Sequence, residues 1–148
     1  MKISIASAII TALAAAPEAL ALGINCRGSA NCDHQLGGAN YLETLKNYVN
    51  QAQDGRVYRN GEHIACISRG SLANGFKGGY CVFPQGTASG VTGARAKKLM
   101  QDLRDHGCTR CGSVPIDFKW PTSNDPKNGI LTSNFVSDTD NPCNTGLC

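Results

Sequence analysis

Two segments of the chain carry apolar residues at helical spacing. The first is predicted to begin after Asn40, an N-cap residue with Glu43 at capping-box spacing, and to stop at Gly55. The second begins after Thr92, also a good N-cap, and Gly107 takes the left-handed position after its last turn. The apolar faces consist of Tyr41, Leu42, Leu45, Tyr48 and Val49 in the first helix and of Ala96, Leu99, Met100 and Leu103 in the second.

Between and after the helices the pattern changes to that of β-strands. The dipeptide Asn60-Gly61 is a strong hairpin signal, and it joins two β-rich runs at 57–59 and 63–67. Further strands are predicted at 80–83, which ends at Pro84, and at 114–118 and 130–136. These elements predict an α+β fold, in which a mainly antiparallel sheet is covered on one face by two helices.

The first residues have the pattern of a secretory signal peptide. Lys2 supplies a positive charge, and residues 3–16 form an apolar run that is too short to span a bilayer. Pro17 and Glu18 break the run before the Ala-Leu-Ala sequence at 19–21, which signal peptidase favours. We therefore predict a signal peptide at 1–21 and a secreted, extracellular domain at 22–148, without stable membrane insertion.

Composition reduces the number of function classes that fit this chain. The 148 residues suffice for one domain, and a net charge of +3 with 17% charged residues does not favour nucleic-acid binding. Eight cysteines in a short secreted chain indicate a disulfide framework. The CxxC sequence from Cys108 to Cys111 follows a helix C-terminus, where the helix dipole does not lower a thiol pKa, so we expect structural disulfides there. We predict no metal, no cofactor and a monomer.

A hydrolase is one alternative, because Glu62 and His63 could form an acid–base pair. Neighbouring residues of a strand point to opposite faces, however, so we do not expect these two side chains to share a site. No aspartate stands out as a second carboxylate. We therefore predict no catalytic residue, and a small secreted RNase or glycosidase stays the weaker alternative.

Four cationic residues cluster around the predicted hairpin and the Gly-rich loop that follows it. They are Arg56, Arg59, Arg69 and Lys77. Such a cluster is either ordinary solvated surface or a cationic patch suited to an acidic pore mouth or an anionic membrane.

Three stretches of the chain resemble the killer-protein-four family, small secreted toxins encoded by a virus of smut fungi and by related genes in fungi and mosses. The first runs from Leu22 to Ser29 and continues through Cys32 to a Gly-Gly-Ala-Asn sequence that ends at Asn40. The others are HGCTRCGSVP at 106–115 and LTSNFV at 131–136. The resemblance spans the whole predicted mature chain and implies a disulfide-rich α/β sandwich.

The resemblance also implies how the cysteines pair. Cys26 is expected to pair with Cys108, and Cys32 with Cys111. Cys66 and Cys81 are then expected to pair with Cys143 and Cys148, with both arrangements open. The founding toxin has ten cysteines, and its counterparts in the first helix and at the start of the second are absent here.

The activity that the resemblance implies is growth inhibition of competing fungi or plant cells by blocking calcium uptake through a membrane calcium channel. The family carries a critical lysine two residues before the cysteine that matches Cys66, and this chain has Ile64 there. Arg59, His63 and Lys77 are the residues we expect to supply the missing positive charge and to bind the target. The competing interpretation is a non-toxic secreted binding module or host-directed effector on the same scaffold.

Overall fold

The computed structural model describes residues 23–34, 40–68, 78–137, 143 and 145–148. The predicted signal peptide and its cleavage site lie outside these residues. The helices are α1 (Asn31–His34), α2 (Tyr41–Val49) and α3 (Gly93–Asp105). The strands are β1 (Val57–Tyr58), β2 (Ala65–Ser68), β3 (Gly78–Gln85), β4 (Val91–Thr92), β5 (Gly112–Pro115), β6 (Ile130–Ser137) and β7 (Gly146–Leu147).

The two long helices begin where their caps predict. The side chain of Asn40 accepts the backbone N–H of Glu43 at 3.2 Å, and that of Thr92 accepts the N–H of Arg95 at 3.2 Å. Helix α3 ends as predicted, with Gly107 at φ 95°. Helix α2 is shorter than the prediction because turns, not helix, follow Val49 up to Gly55.

Five strands form the main sheet, in the order β5-β6-β3-β2-β7, with every pair antiparallel. The register places alternate side chains on one face, and both long helices pack against that face. The buried members of this face are Ala65, Ile67, Tyr80, Val82, Val114 and Leu131. They share one core with Leu42, Leu45 and Val49 of α2 and with Ala96, Leu99, Met100 and Leu103 of α3. The predicted α+β sandwich is confirmed.

The predicted hairpin at 57–67 is wrong in its pairing, although its turn exists. Gly61 has φ 79°, and the N–H of Glu62 donates to the carbonyl of Arg59 at 2.9 Å, which closes the turn. The two flanking runs do not pair with each other. Strand β1 pairs with β4 in a separate two-stranded sheet, whereas β2 pairs with β3 and β7. The turn forms from the local sequence, whereas long-range packing determines which strands pair with each other.

Two other strand boundaries differ from the prediction. Strand β3 continues through Pro84 to Gln85, because β6 pairs with it along its whole length. The carbonyl of Pro84 also accepts the N–H of Gly61 at 2.7 Å, so the proline holds the turn described above against the sheet. Strand β5 covers Gly112–Pro115 and so begins and ends earlier than the predicted 114–118 run.

All eight cysteines lie within the described residues, and each is in a disulfide. The structure joins Cys26 to Cys108 and Cys32 to Cys111, as the resemblance implies. The other expectation is corrected, because Cys66 is joined to Cys81, and Cys143 to Cys148. The physical reason is register: β2 and β3 place Cys66 directly opposite Cys81, with 4.1 Å between their Cα atoms.

Within the described part of the chain, the helices are all too short or too polar to cross a lipid bilayer.

Candidate functional site

The clearest cationic feature is the turn at residues 56–62, which we call the arginine turn. Glu62 holds it together with both carboxylate oxygens. Oε2 accepts the backbone N–H of Arg59 at 2.8 Å, and Oε1 accepts Nη2 of Arg56 at 2.9 Å. The Arg56 guanidinium also lies 4.3 Å from the ring centroid of the buried Tyr58. The backbone of the turn is therefore fixed on both sides of Asn60-Gly61.

The charges of the arginine turn leave one cation exposed. The hydrogen bond from the backbone of Arg59, assisted by the Arg56 guanidinium, lowers the pKa of Glu62, so this carboxylate is ionised at neutral pH. Glu62 and Arg56 form an ion pair and offset each other's charge. Arg59 is exposed, and no carboxylate among the described residues forms an ion pair with its guanidinium. The turn thus displays a net positive charge on Arg59.

His63 lies in the interior, away from that exposed charge. Its side chain is 8% exposed, and its ring packs against Phe83 with 5.4 Å between the ring centroids. Because Glu62 points to the arginines and His63 to Phe83, the two side chains do not form the acid–base pair that a hydrolase would need. A buried imidazole offers almost no surface to a partner, so the structure does not favour His63 as a target-binding residue.

Ile64, at the position where the resemblance implies a lysine, is fully buried. Its N–H donates to the carbonyl of Val82 at 2.7 Å, and its carbonyl accepts the N–H of Cys148 at 2.8 Å. The side chain belongs to the hydrophobic core. A cation at this position would therefore have to enter the core or displace the chain, so any charge facing a target must come from elsewhere.

Lys77 and Arg69 lie outside the described residues, so their roles stay predictions. The Gly-rich loop before Gly78 does as well, and the arginine turn is the part of the predicted cationic patch that the structure describes.

Sulfur atoms and one imidazole lie close together near strands β2 and β3. Ligand atoms of His63, Cys66 and Cys81 lie within 4.8 Å of one another, as do those of Cys66, Cys143 and Cys148. Imidazole nitrogen and cysteine sulfur atoms at such distances can bind a metal ion. Every cysteine in both groups is oxidised to a disulfide, however, and thiolates are the sulfur ligands that metals bind. The cysteines of both groups therefore act here as covalent cross-links.

Comparison with known proteins bears on the whole chain. A family model described as Kp4 matches residues 9–137. The chain belongs to the Kp4 family. It is also 31% identical over 137 residues to the KP4 killer toxin of Ustilago maydis P4 virus, a match that covers 91% of this chain and 96% of that toxin. The resemblance deduced from the three sequence motifs is thereby confirmed.

The described part of this Kp4 chain also contains cavities that the sequence did not reveal, and charged side chains line two of them. One, of about 420 Å³, lies between the two long-range disulfides and includes Arg27 and Arg110 in its lining. The other, of about 380 Å³, lies beside the exposed Trp120 and the end of α3. For the second cavity, the signal in the sequence is a lone tryptophan in a polar segment. The aspartates of α3 give no signal, because in the sequence they resemble an ordinary solvated helix face.

Proposed function

We propose that this chain is a secreted killer-toxin-like protein that inhibits the growth of competing fungi or of plant cells. The single observation that carries this proposal is membership of the Kp4 family over most of the chain, with a curated relative that is a killer toxin. Four disulfides on a small α+β core suit a protein that works outside the cell. The relative is a toxin, and we assign no catalytic step to this chain.

The mechanism we propose is reduced calcium uptake through a surface channel, with the arginine turn as the contacting element. Supporting this, Arg59 is an exposed cation on a backbone that Glu62 and Pro84 hold in place. An acidic channel mouth would attract it, since two unit charges at 4 Å interact by roughly 1 kcal/mol in water and by about 4 kcal/mol near a protein surface. Arginine at residue 59 would then take over the role that Ile64 cannot perform.

The test is growth of sensitive fungal cells and plant root tips exposed to the purified, oxidised protein, with and without millimolar calcium. Inhibition that calcium relieves is the expected result. Arg59→Ala should weaken inhibition about tenfold or more, which corresponds to a loss of about 1.4 kcal/mol in target binding. The matched control is Lys127→Ala, which removes one exposed positive charge from a different surface and should leave inhibition unchanged.

Two results would contradict the mechanism. If inhibition persists equally with and without calcium, the target is not calcium uptake. If Arg59→Ala and Lys127→Ala behave alike, the arginine turn is not the contacting element. Cellular calcium influx, measured with a fluorescent indicator, distinguishes a protein that blocks calcium uptake more weakly from one that acts on a different target.

A second candidate is a non-toxic binding module or host-directed effector on the same scaffold. The observation that favours it is that a buried isoleucine, Ile64, stands where the resemblance implies a lysine. For this candidate, correctly folded protein inhibits neither fungi nor plant cells, and Arg59→Ala has no effect on growth. Pull-down from plant and fungal membrane extracts would then look for its partner.

A further inference from the structure

A cavity of about 380 Å³ lies at the end of α3, where the helix meets the N-terminal segment and the loop after β5. Three apolar residues, Ile24, Phe118 and Trp120, and three polar residues, Asp102, Asp105 and His106, line it. A concave site of this volume with a few polar groups among apolar walls is the usual form of a small-molecule site.

Trp120 is the unusual member of this lining. It is 78% exposed, the highest value among the large hydrophobic side chains that the structure describes. Its loop is nevertheless well fixed: the N–H of Lys119 donates to the carbonyl of Ser123 at 2.8 Å, and the N–H of Ser123 donates back at 2.7 Å. A fixed, exposed indole leaves apolar surface in water that a bound group would cover.

Arg95 of α3 fixes the chain just before that loop. Its Nε donates to the carbonyl of Ile116 and its Nη2 to that of Phe118, both at 2.7 Å. These bonds hold Phe118 in the cavity wall and position the segment that carries Trp120. They also engage the Arg95 guanidinium, which is not part of the lining.

Two of the three polar residues in the lining are acids, although the chain as a whole has a net charge of +3. Oδ2 of Asp102 is buried and has no hydrogen-bond partner among the described residues. Burial raises the pKa of Asp102, with a smaller contribution from Asp105, and the charges of Arg95 and Lys98 oppose this rise.

The other two polar residues of the lining are Asp105 and His106. Asp105 accepts one hydrogen bond, from Nε2 of Gln101 at 2.7 Å. His106 is the one basic group in the lining.

From this geometry we propose that the cavity binds an organic cation, an alkylammonium or guanidinium group, over the face of Trp120 with its charge toward Asp102 and Asp105. A cation over an indole face gains electrostatic attraction from the ring, and a carboxylate beside it adds a charged hydrogen-bond acceptor. An N–H-bearing cation suits the site better than a quaternary one, because only the former can donate to these carboxylates. This site is independent of the arginine turn and of growth inhibition.

The experiment uses the oxidised, purified protein and its own fluorescence, since Trp120 is the one tryptophan in the sequence. The probe is agmatine, which carries a guanidinium at one end and an ammonium at the other, titrated at constant ionic strength. We expect a saturable change in emission. Asp102→Asn and Asp105→Asn should each weaken apparent affinity about tenfold, the value of a lost charged hydrogen bond of about 1.4 kcal/mol.

Two matched controls decide between charge recognition and simple quenching. Asp54→Asn removes the same charge from an exposed residue that pairs with Lys97, and it should change the affinity less than twofold. Butylurea, a neutral analogue of the guanidinium end, should bind at least tenfold more weakly than agmatine. Thermal melting of each variant shows that the fold is intact, and calorimetric titration of Trp120→Phe tests the contribution of the ring.

Several outcomes would overturn the proposal. A linear, non-saturating change with agmatine means collisional quenching only. Equal binding of butylurea and agmatine means an apolar site without charge recognition. A saturable response to a neutral oligosaccharide with none to agmatine means a sugar subsite on the same aromatic surface. A parallel titration with N-acetyl-arginine amide distinguishes the sources of the cation: if it also binds, an arginine side chain of a partner protein fits, and if agmatine alone binds, the ligand is a free amine.

Discussion

The disulfides of this protein form two pairs that differ in reach, by which we mean the number of residues that separate the joined cysteines in the sequence. The bridges from Cys26 to Cys108 and from Cys32 to Cys111 span 82 and 79 residues, and they join the N-terminal segment to the end of α3. The bridges from Cys66 to Cys81 and from Cys143 to Cys148 span 15 and 5 residues. If disulfides act by restricting the unfolded chain, closing loops of these lengths contributes about 4.5 kcal/mol for the longest, 3 for the third and 2 for the shortest.

Reach is not the whole difference, because the two long bridges depend on each other. Once Cys32 is joined to Cys111, the second long bridge closes a ring of only 9 residues, made up of the 6 from Cys26 to Cys32 and the 3 from Cys108 to Cys111. The two short bridges close separate loops. The long bridges should therefore act as one coupled unit, and the short bridges as independent ones.

The largest expected effect is the loss of both long bridges. Replacing their four cysteines with serine should destabilise the protein by about 7 kcal/mol, which is comparable with the whole stability of a small domain. Replacing only Cys26 and Cys108 should cost about 2.5 kcal/mol, because the 9-residue ring is all that opens. Denaturant unfolding of both variants measures the coupling.

The short bridges provide the control. Removing the bridges from Cys66 to Cys81 and from Cys143 to Cys148 should cost about 3 and 2 kcal/mol, and the two losses should add. Peptide mapping at acidic pH checks the pairing itself, since Sγ of Cys148 lies only 3.8 Å from Sγ of Cys66. A peptide joined through Cys66 and Cys148 would contradict the difference in reach.

The next effect tests how tightly the chain packs around the two long bridges, a region that we call the bridged end. A Cβ on Gly28 would lie 2.5 Å from Cβ of Cys111 and 2.6 Å from Sγ of Cys32, so Gly28→Ala should destabilise the fold by about 1–3 kcal/mol. The matched control is Gly55→Ala, where a Cβ meets no atom within 4 Å. That variant should be neutral or slightly stabilising, because alanine reduces the freedom of the unfolded chain. Equal thermal midpoints for the two variants would mean that the bridged end is loosely packed.

The smallest effect is electrostatic and links the two long helices near the bridged end. Nε of Arg104 donates to Oε2 of Glu43 at 2.8 Å, and Nη1 donates to the carbonyl of Cys108 at 2.6 Å. The hydrogen bond from Arg104 lowers the pKa of Glu43 in the folded protein. A lowered folded-state pKa stabilises the protein above the unfolded value, about 4.3, and this contribution is lost as the pH falls through the folded value.

Glu43→Gln should therefore have a slightly lower thermal midpoint than the native chain at pH 7, and the difference should shrink toward pH 3. Asp54→Asn serves as the control, because Asp54 pairs with Lys97 on an exposed surface. A difference for Glu43→Gln that is the same at both pH values would show that the lost contribution is packing and not charge.

The elements that follow from local pattern were predicted well. The caps at Asn40 and Thr92 and the left-handed Gly107 mark the helices in the sequence because a cap needs only residues within one turn. The β-branched run of β6 was predicted within one residue of its observed end. The turn at Asn60-Gly61 was also predicted, because the glycine tolerates the positive φ that the turn requires.

The residues expected to bind the target lie in different environments. Arg59 is exposed on a fixed turn, as a target-binding cation should be, whereas His63 is packed against Phe83. Their separation arises because the chain enters the core directly after Glu62, which the alternation of residues alone did not show. The Trp120 cavity was not anticipated at all, since its walls come from segments as far apart in the sequence as Ile24 and Phe118.

The sequence by itself determined the family, the two long helices, most strands and the turn at residues 60 and 61. Each of these rests on neighbouring residues or on a motif read in order. Only the tertiary structure decided that β1 pairs with β4, that Cys66 faces Cys81 and that Ile64 is buried. The physical reason is that strand partners and burial are set by which distant segments pack together, and many pairings satisfy the same local preferences.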